Sequence, residues 1–172
     1  MTRTSLRLTG LGVALAVFAL DQWIKWYVTG PLDLASVGAI RLLPFFDLRY
    51  TQNFGVSLGM LTARSAEMRI ALVALTALIS IGVLAWMLRE KSRWDVVALG
   101  LVLGGALGNI RDRIEGGFVI DYADFHIGEW RPFLIFNLAD AAITIGVVLL
   151  LARSLLSREK PAAGDPVPTE TN

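Results

Sequence analysis

Apolar positions gather into four long runs along this 172-residue chain, at about 8–28, 68–88, 94–110 and 133–155, and polar positions collect between them. Each run is near the roughly 20 residues that carry a helix across about 30 Å of hydrocarbon. The pattern predicts four transmembrane helices with both termini on the same side. The first run follows Arg3 and Arg7 and closes on Trp23, Trp26 and Tyr27, an interfacial anchor. Ala14-Leu15-Ala16 fits a signal-peptidase cleavage pattern, but a cut there leaves an apolar core of only about eight residues, so the run reads as a retained helix. The second run has no charge after Arg69 and ends in the tight connection Arg89-Glu90-Lys91-Ser92-Arg93. In the third, Gly100, Gly104, Gly105 and Gly108 form a small-residue face for close helix packing. Pro132 stands where a helix start tolerates proline, ahead of the fourth.

Between the first two runs, residues 29–66 open on the helix-breaking pair Gly30-Pro31 and include no run long enough to span. Partial alternation over 41–53 predicts a strand, and a small sheet on the membrane surface satisfies backbone groups that an irregular lipid-exposed loop leaves unpaired. Residues 1–156 thus read as one α-helical membrane domain with a small sheet region outside the bilayer. The segment 157–172, with Pro161, Pro166 and Pro168, reads as a disordered tail.

Composition agrees with this reading: 55% hydrophobic residues and a mean hydropathy of +0.58 exceed what a soluble domain of this length carries. A net charge of +1 points to no nucleic-acid partner. The absence of cysteine removes thiolate catalysis and cysteine-ligated metals, and with His126 the single histidine no metal or other cofactor is indicated. Basic residues split evenly between the two faces. Those on the terminal face, among them Arg3, Arg7, Arg89, Lys91, Arg93 and Arg153, hug the helix ends in short segments, which places the termini in the cytoplasm.

Polarity beside lipid then marks a candidate site. Because successive helices alternate direction, Asp21 and Lys25 on the first helix, Asn109, Arg111, Asp112 and Arg113 at the end of the third, and Asn137 and Asp140 on the fourth all reach one face, with the loops bearing Asn53 and Asp121. The i,i+3 and i,i+4 spacings put each group on one helical side. Ion pairs of Asp21 with Lys25, and of Asp112 with Arg113 or Arg111, are one account of these charges. Asp140 is harder to explain structurally: with a helix starting at Phe133 it lies roughly 10 Å into the membrane, with no basic residue within a turn. Two carboxylates meeting where water is scarce share a proton. Such a pair lets one activate water while the other hydrogen-bonds the carbonyl under attack. Asp21, Asp112, Asp121 and Asp124 are all possible partners for Asp140 on pattern alone.

Five stretches narrow the choice. Asp21-Gln22 with Lys25, Asn53-Phe54-Gly55, GGALGNIRDR, GFVIDYADF and FNLAD resemble, in order and spacing, the motifs of the bacterial lipoprotein signal peptidases, or signal peptidase II. The resemblance implies an aspartic endopeptidase of the bacterial inner membrane that removes signal peptides from diacylglyceryl-modified prolipoproteins, cutting before the lipidated cysteine near the outer face. It implies the catalytic pair Asp121 and Asp140, with Asp21, Lys25, Asn53, Gly55, Asn109, Asp112, Arg113 and Asn137 lining or supporting the site. Asp124 matches a variable position. It further implies inhibition by the cyclic peptide globomycin, and membrane lipid and prolipoprotein as partners; the sequence leaves the oligomeric state open, and a monomer suffices for the chemistry. One motif departs: Gly55 is followed by Val56-Ser57-Leu58-Gly59 where the family usually has Gly-Ala-Ala-Phe-Ser or similar.

That departure creates a G-x-S-x-G pattern and a rival reading, an intramembrane serine protease pairing Ser57 with His126. Nothing in the sequence supplies the required elbow or base, and His126 is expected at the interface. A small transporter or proton relay is the non-enzymatic rival. It needs polar groups across the whole bilayer, whereas these cluster at one face.

Overall fold

A computed structural model describes residues 2–55 and 66–157. Among them are four helices long and apolar enough to cross a membrane: α1 (Arg3–Thr29), α3 (Ala66–Arg89), α4 (Arg93–Glu115) and α5 (Leu138–Ser157). A short helix α2 (Leu34–Val37) and strands β1 (Ala39–Leu43) and β2 (Phe46–Asn53) lie between α1 and α3, and β3 (Val119–Phe125) between α4 and α5. The proposed tail falls almost wholly outside the described residues, as do Val56, Ser57, Leu58 and Gly59.

Helix α4 is the axis of the bundle. Its apolar window is 61% buried, against 22%, 11% and 17% for α1, α3 and α5. The glycine face explains how neighbours come so close. A Cβ on Gly100 would lie 2.7 Å from the Gly10 carbonyl oxygen and one on Gly104 2.5 Å from that of Ala14, both on α1, while one on Gly105 would strike the Ala139 carbonyl of α5. Small residues let backbones meet where lipid offers no hydrophobic drive for association. Met87, Val96, Leu99 and Leu103 fill the far end of this packing. At that end Arg153 ties α5 to α4 through Asp95 at 2.6 Å and Ser92 Oγ at 2.9 Å, and Arg7 donates to the Leu88 carbonyl at 3.0 Å.

The sheet is antiparallel in the order β1-β2-β3. The strand pattern of 41–53 divides at Pro44-Phe45 into a hairpin, since Pro44 has no N–H to give a ladder. Strand β3, which the sequence reading leaves as loop, pairs Thr51 with Asp121 and Asn53 with Val119. A third segment joins by exchange of hydrogen bonds between Ala123 and Phe136, at 2.8 and 3.1 Å.

That exchange corrects the fourth helix. It begins at Leu138 and not at Phe133, because Phe136 is extended along β3 and Asn137 then caps the helix. Asn137 Oδ1 accepts the Asp140 N–H at 2.9 Å while Asp140 Oδ2 accepts the Asn137 N–H at 3.3 Å, a reciprocal capping box. Asp140 therefore lies in the first turn, and the depth of 10 Å does not hold. The third helix runs on past Ile110 to Glu115, so Asn109, Asp112 and Arg113 are helical residues of α4.

Candidate active site

Asp121 enters the site from β3 and Asp140 from the first turn of α5, brought together by the pairing of β3 with the strand-like lead into α5. Asp121 is 1% exposed, whereas Asp140 is half-buried. Two asparagines hold the carboxylates. Asn137 Nδ2 donates to Asp121 Oδ1 at 2.7 Å, and Asn109 Nδ2 donates to Asp140 Oδ1 at 2.8 Å. Asn137 Nδ2 also lies 3.2 Å from Asn109 Oδ1, which links the two holders.

From β2, Asn53 hydrogen-bonds Asp121. Its own Oδ1 accepts the Gly55 N–H at 2.9 Å, and the turn this closes has Gly55 at φ 91°, a conformation that favours glycine. Burial pushes the Asp121 carboxyl up to about 6, and the neighbouring charge of Asp140 pushes in the same direction, against hydrogen bonds from Asn53 and Asn137 and the charge of Lys25. Burial likewise raises Tyr122, whose hydroxyl stays neutral and accepts the Leu138 N–H at 3.1 Å.

Behind the pair, the Asp21–Lys25 ion pair forms at 2.8 Å. The expected pairing of Asp112 with Arg113 or Arg111 does not: Asp112 Oδ2 lies 2.8 Å from Lys25 Nζ, and Arg111 pairs with Glu115 at 2.8 Å on the surface. The reason is the length of α4, whose last turns carry Asp112 toward α1 and Arg111 outward. Arg113 is half-buried, donates to the Asn109 carbonyl at 3.4 Å and faces the charges of Asp140, Asp121 and Asp112.

Asp124 is 1% exposed, yet it is engaged elsewhere, with Arg131 at 3.1 Å and Arg49 at 3.4 Å. His126 is 5% exposed within the protein, its Nε2 3.3 Å from Asp47 Oδ2. Sequence reasoning missed Gln22 and Tyr122. Gln22 Nε2 donates to Asp112 Oδ1 at 3.0 Å, and Tyr122 holds the α5 start. The Asp-Gln pair ahead of Lys25 was the available signal for the first; no spacing marks the second.

Beside Asp140 an apolar groove of about 350 Å³ is lined by Phe133, Leu134, Phe136, Ala141, Thr144 and Ile145. A half-exposed carboxylate at its head, joined to a fully buried one, is an arrangement suited to hydrolysis of an extended apolar substrate.

The sequence profile described as Signal peptidase (SPase) II matches residues 13–156. The chain belongs to the signal peptidase II family. A lipoprotein signal peptidase of Rhizorhabdus wittichii is 58% identical over 150 residues, covering 87% of each chain. One from Sphingopyxis alaskensis is 51% identical over 160 residues, covering 93% of this chain and 92% of the relative. A bacterial membrane enzyme solved by the in meso method at 2.3 Å resolution superposes with a TM-score of 0.77 at 26% identity, covering 92% and 94% of the two chains. Another, solved at 1.9 Å, gives 0.74 at 29% identity, covering 86% and 92%. As a member of the signal peptidase II family the protein is a membrane protease that processes lipoprotein signal peptides.

Proposed function

We propose that Asp121 and Asp140 are the catalytic pair of this signal peptidase, with Asp121 holding the shared proton and Asp140 acting as base. The observation that carries the reading is the asparagine bridge: Asn137 and Asn109 bond each other and hold one carboxylate each, beside an open apolar groove. Asp121 is the more deeply buried, and burial favours the neutral acid. Asp140, with a hydrogen bond to each oxygen, faces the groove from which water and substrate arrive.

In the forward step Asp140 takes a proton from water, and the water oxygen bonds to the scissile carbonyl carbon. Protonated Asp121 hydrogen-bonds the carbonyl oxygen and supports its developing charge. Collapse of the tetrahedral intermediate breaks the C–N bond. The proton on Asp140 goes to the leaving nitrogen, which releases a signal-peptide carboxyl group and a new N-terminal amine. The pair titrates as a unit.

The substrate class is a prolipoprotein with a diacylglyceryl group on its cysteine: an apolar groove beside the dyad suits a substrate that is apolar and lipidated at membrane level. A globomycin-like cyclic peptide is expected to compete at the same place. The termini lie in the cytoplasm, on the support of basic residues clustered at the α1, α3–α4 and α5 ends, and the dyad lies near the outer face. A monomer contains every group the reaction uses.

Ser57 lies outside the described residues, and His126 is buried with its Nε2 3.3 Å from Asp47 Oδ2. No ionisable residue occurs within 8–20, 70–88, 96–110 or 141–152, so a proton relay across the bilayer has no stations there. Processing of a lipidated prolipoprotein by reconstituted enzyme is the test. Asp121→Asn and Asp140→Asn are each expected to lose at least about 10³-fold in rate, while Ser57→Ala and His126→Ala keep most activity. Normal turnover by Asp140→Asn would falsify the mechanism. Equal cleavage of unlipidated precursor would contradict the substrate class.

A further inference from the structure

We propose that Lys25 is a positioning residue that sets the relative placement of Asp121 and Asp140, through two carboxylates and one amide that it holds at once. The inference rests on the reading of those two aspartates as the catalytic pair. An ammonium has three N–H bonds, and Lys25, 2% exposed, finds an acceptor for each: Asp21 Oδ2 at 2.8 Å, Asp112 Oδ2 at 2.8 Å and Asn109 Oδ1 at 3.3 Å.

Each of these partners reaches on to the pair. Asp21 Oδ1 accepts the N–H of Ala139 at 3.0 Å, the residue before Asp140. Asp112 Oδ2 accepts the N–H of Ile120 at 3.1 Å, the residue before Asp121. Asn109, its Oδ1 occupied by Lys25, turns Nδ2 to Asp140 Oδ1 at 2.8 Å. One side chain on α1 thus anchors the backbone immediately ahead of both carboxylates, although α5 and β3 are separate elements. Gly108 leaves room for the arrangement, since a Cβ there would lie 2.5 Å from Asp21 Oδ2.

Without Lys25, Asp21 and Asp112 face each other as like charges with no counterion between them, and both release their hold on the chain. A misplacement of the order of 1 Å between reacting groups costs about 10²-fold in rate. Asp121 also reports the loss electrostatically. The charges facing it are Asp140 from α5, Arg113 from α4 and Lys25 from α1, with the neutral Asn53 on β2. Lys25 favours its ionised form.

The test uses the full-length enzyme reconstituted in vesicles, a diacylglyceryl-modified prolipoprotein peptide as substrate, and Lys25→Met. The positioning role predicts kcat lower by about 10²-fold, KM within about threefold, and the descending limb of the pH–kcat/KM profile moved to higher pH. Arg153→Met is the control: it breaks the Asp95 pair at the far end of the bundle, and is expected to lower the melting temperature with kcat and the limb unchanged. A Lys25→Met enzyme with near-parental kcat per folded molecule, or one whose limb stays in place while activity tracks melting temperature, would overturn the proposal. Should Lys25→Met not fold, Lys25→Gln, which keeps a donor and drops the charge, is read by the same measurements. If neither folds, Lys25 is a folding element and the positioning role fails. Asp140→Asn in the same series separates the two questions: activity there sinks the dyad reading, whatever Lys25 does.

Discussion

Asp121 carries the clearest pH dependence. Its acid form is favoured by burial and by Asp140, so its ionisation sits at about 6, above the ordinary range for a carboxyl. Under the proposed mechanism, which needs one proton on the pair, kcat/KM for the free enzyme is expected to fall as pH rises through about 6. Asn53 donates to the ionised form, and its removal makes that form harder to reach. Asn53→Ala should therefore move the descending limb upward by about one unit, near the worth of one charge-assisted hydrogen bond. A limb that stays in place or moves down contradicts the arrangement. Asn137 deserves no such simple test, because it caps α5 as well as holding Asp121, so its loss mixes stability with chemistry.

At the level of elements, the glycine face of α4 is a packing device with a quantitative signature. Gly104→Ala puts a methyl 2.5 Å from the Ala14 carbonyl oxygen and 2.8 Å from Val17 Cβ, so overpacking of about 1–3 kcal/mol is expected in thermal or denaturant unfolding in detergent. Gly12 on α1 has nothing within 4 Å of such a methyl, and Gly12→Ala should be neutral or stabilising. Equal effects at the two positions would mean that propensity and not close approach governs. The sheet has its own apolar rim: Leu42, Phe45, Trp130, Phe133 and Leu134 are exposed, Leu134 at 90%. This rim adjoins the start of α5 and fits insertion among lipid headgroups. Because the chain has no cysteine, single nitroxide labels at Phe45 and Leu134 are straightforward. They are expected to be more accessible to oxygen than to a polar relaxant in vesicles, with a label at Gln52 the reverse; polar accessibility at all three would show a sheet held clear of the bilayer.

For the molecule as a whole, four spans force the helix ends into two layers, one structural and one reactive. The structural layer holds Arg7, Ser92, Asp95 and Arg153, and the layer proposed as reactive holds Asp21, Lys25, Asn109, Asp121 and Asp140. A membrane-impermeant maleimide applied to intact spheroplasts should label Gln52→Cys and leave Lys91→Cys unlabelled until the membrane is opened. The opposite pattern inverts the proposed topology.

Sequence alone determined the four spans, the small sheet and the list of polar residues that meet at one face, because hydrophobic length and helix alternation are local or additive properties of a chain. It also reached the family through five motifs in order. Tertiary structure decided what those properties do not encode. Strand β3 and the late start of α5 depend on Phe136 pairing with Ala123, a contact between segments that no period marks. The partner of Asp112 depends on how far α4 continues and which side faces α1, so the near neighbours Arg111 and Arg113 gave way to Lys25. Asp140 moved from deep in the membrane to a helix cap, where its cost is offset by the asparagines that hold it. In each case a long-range contact chose among options that the local pattern left equal.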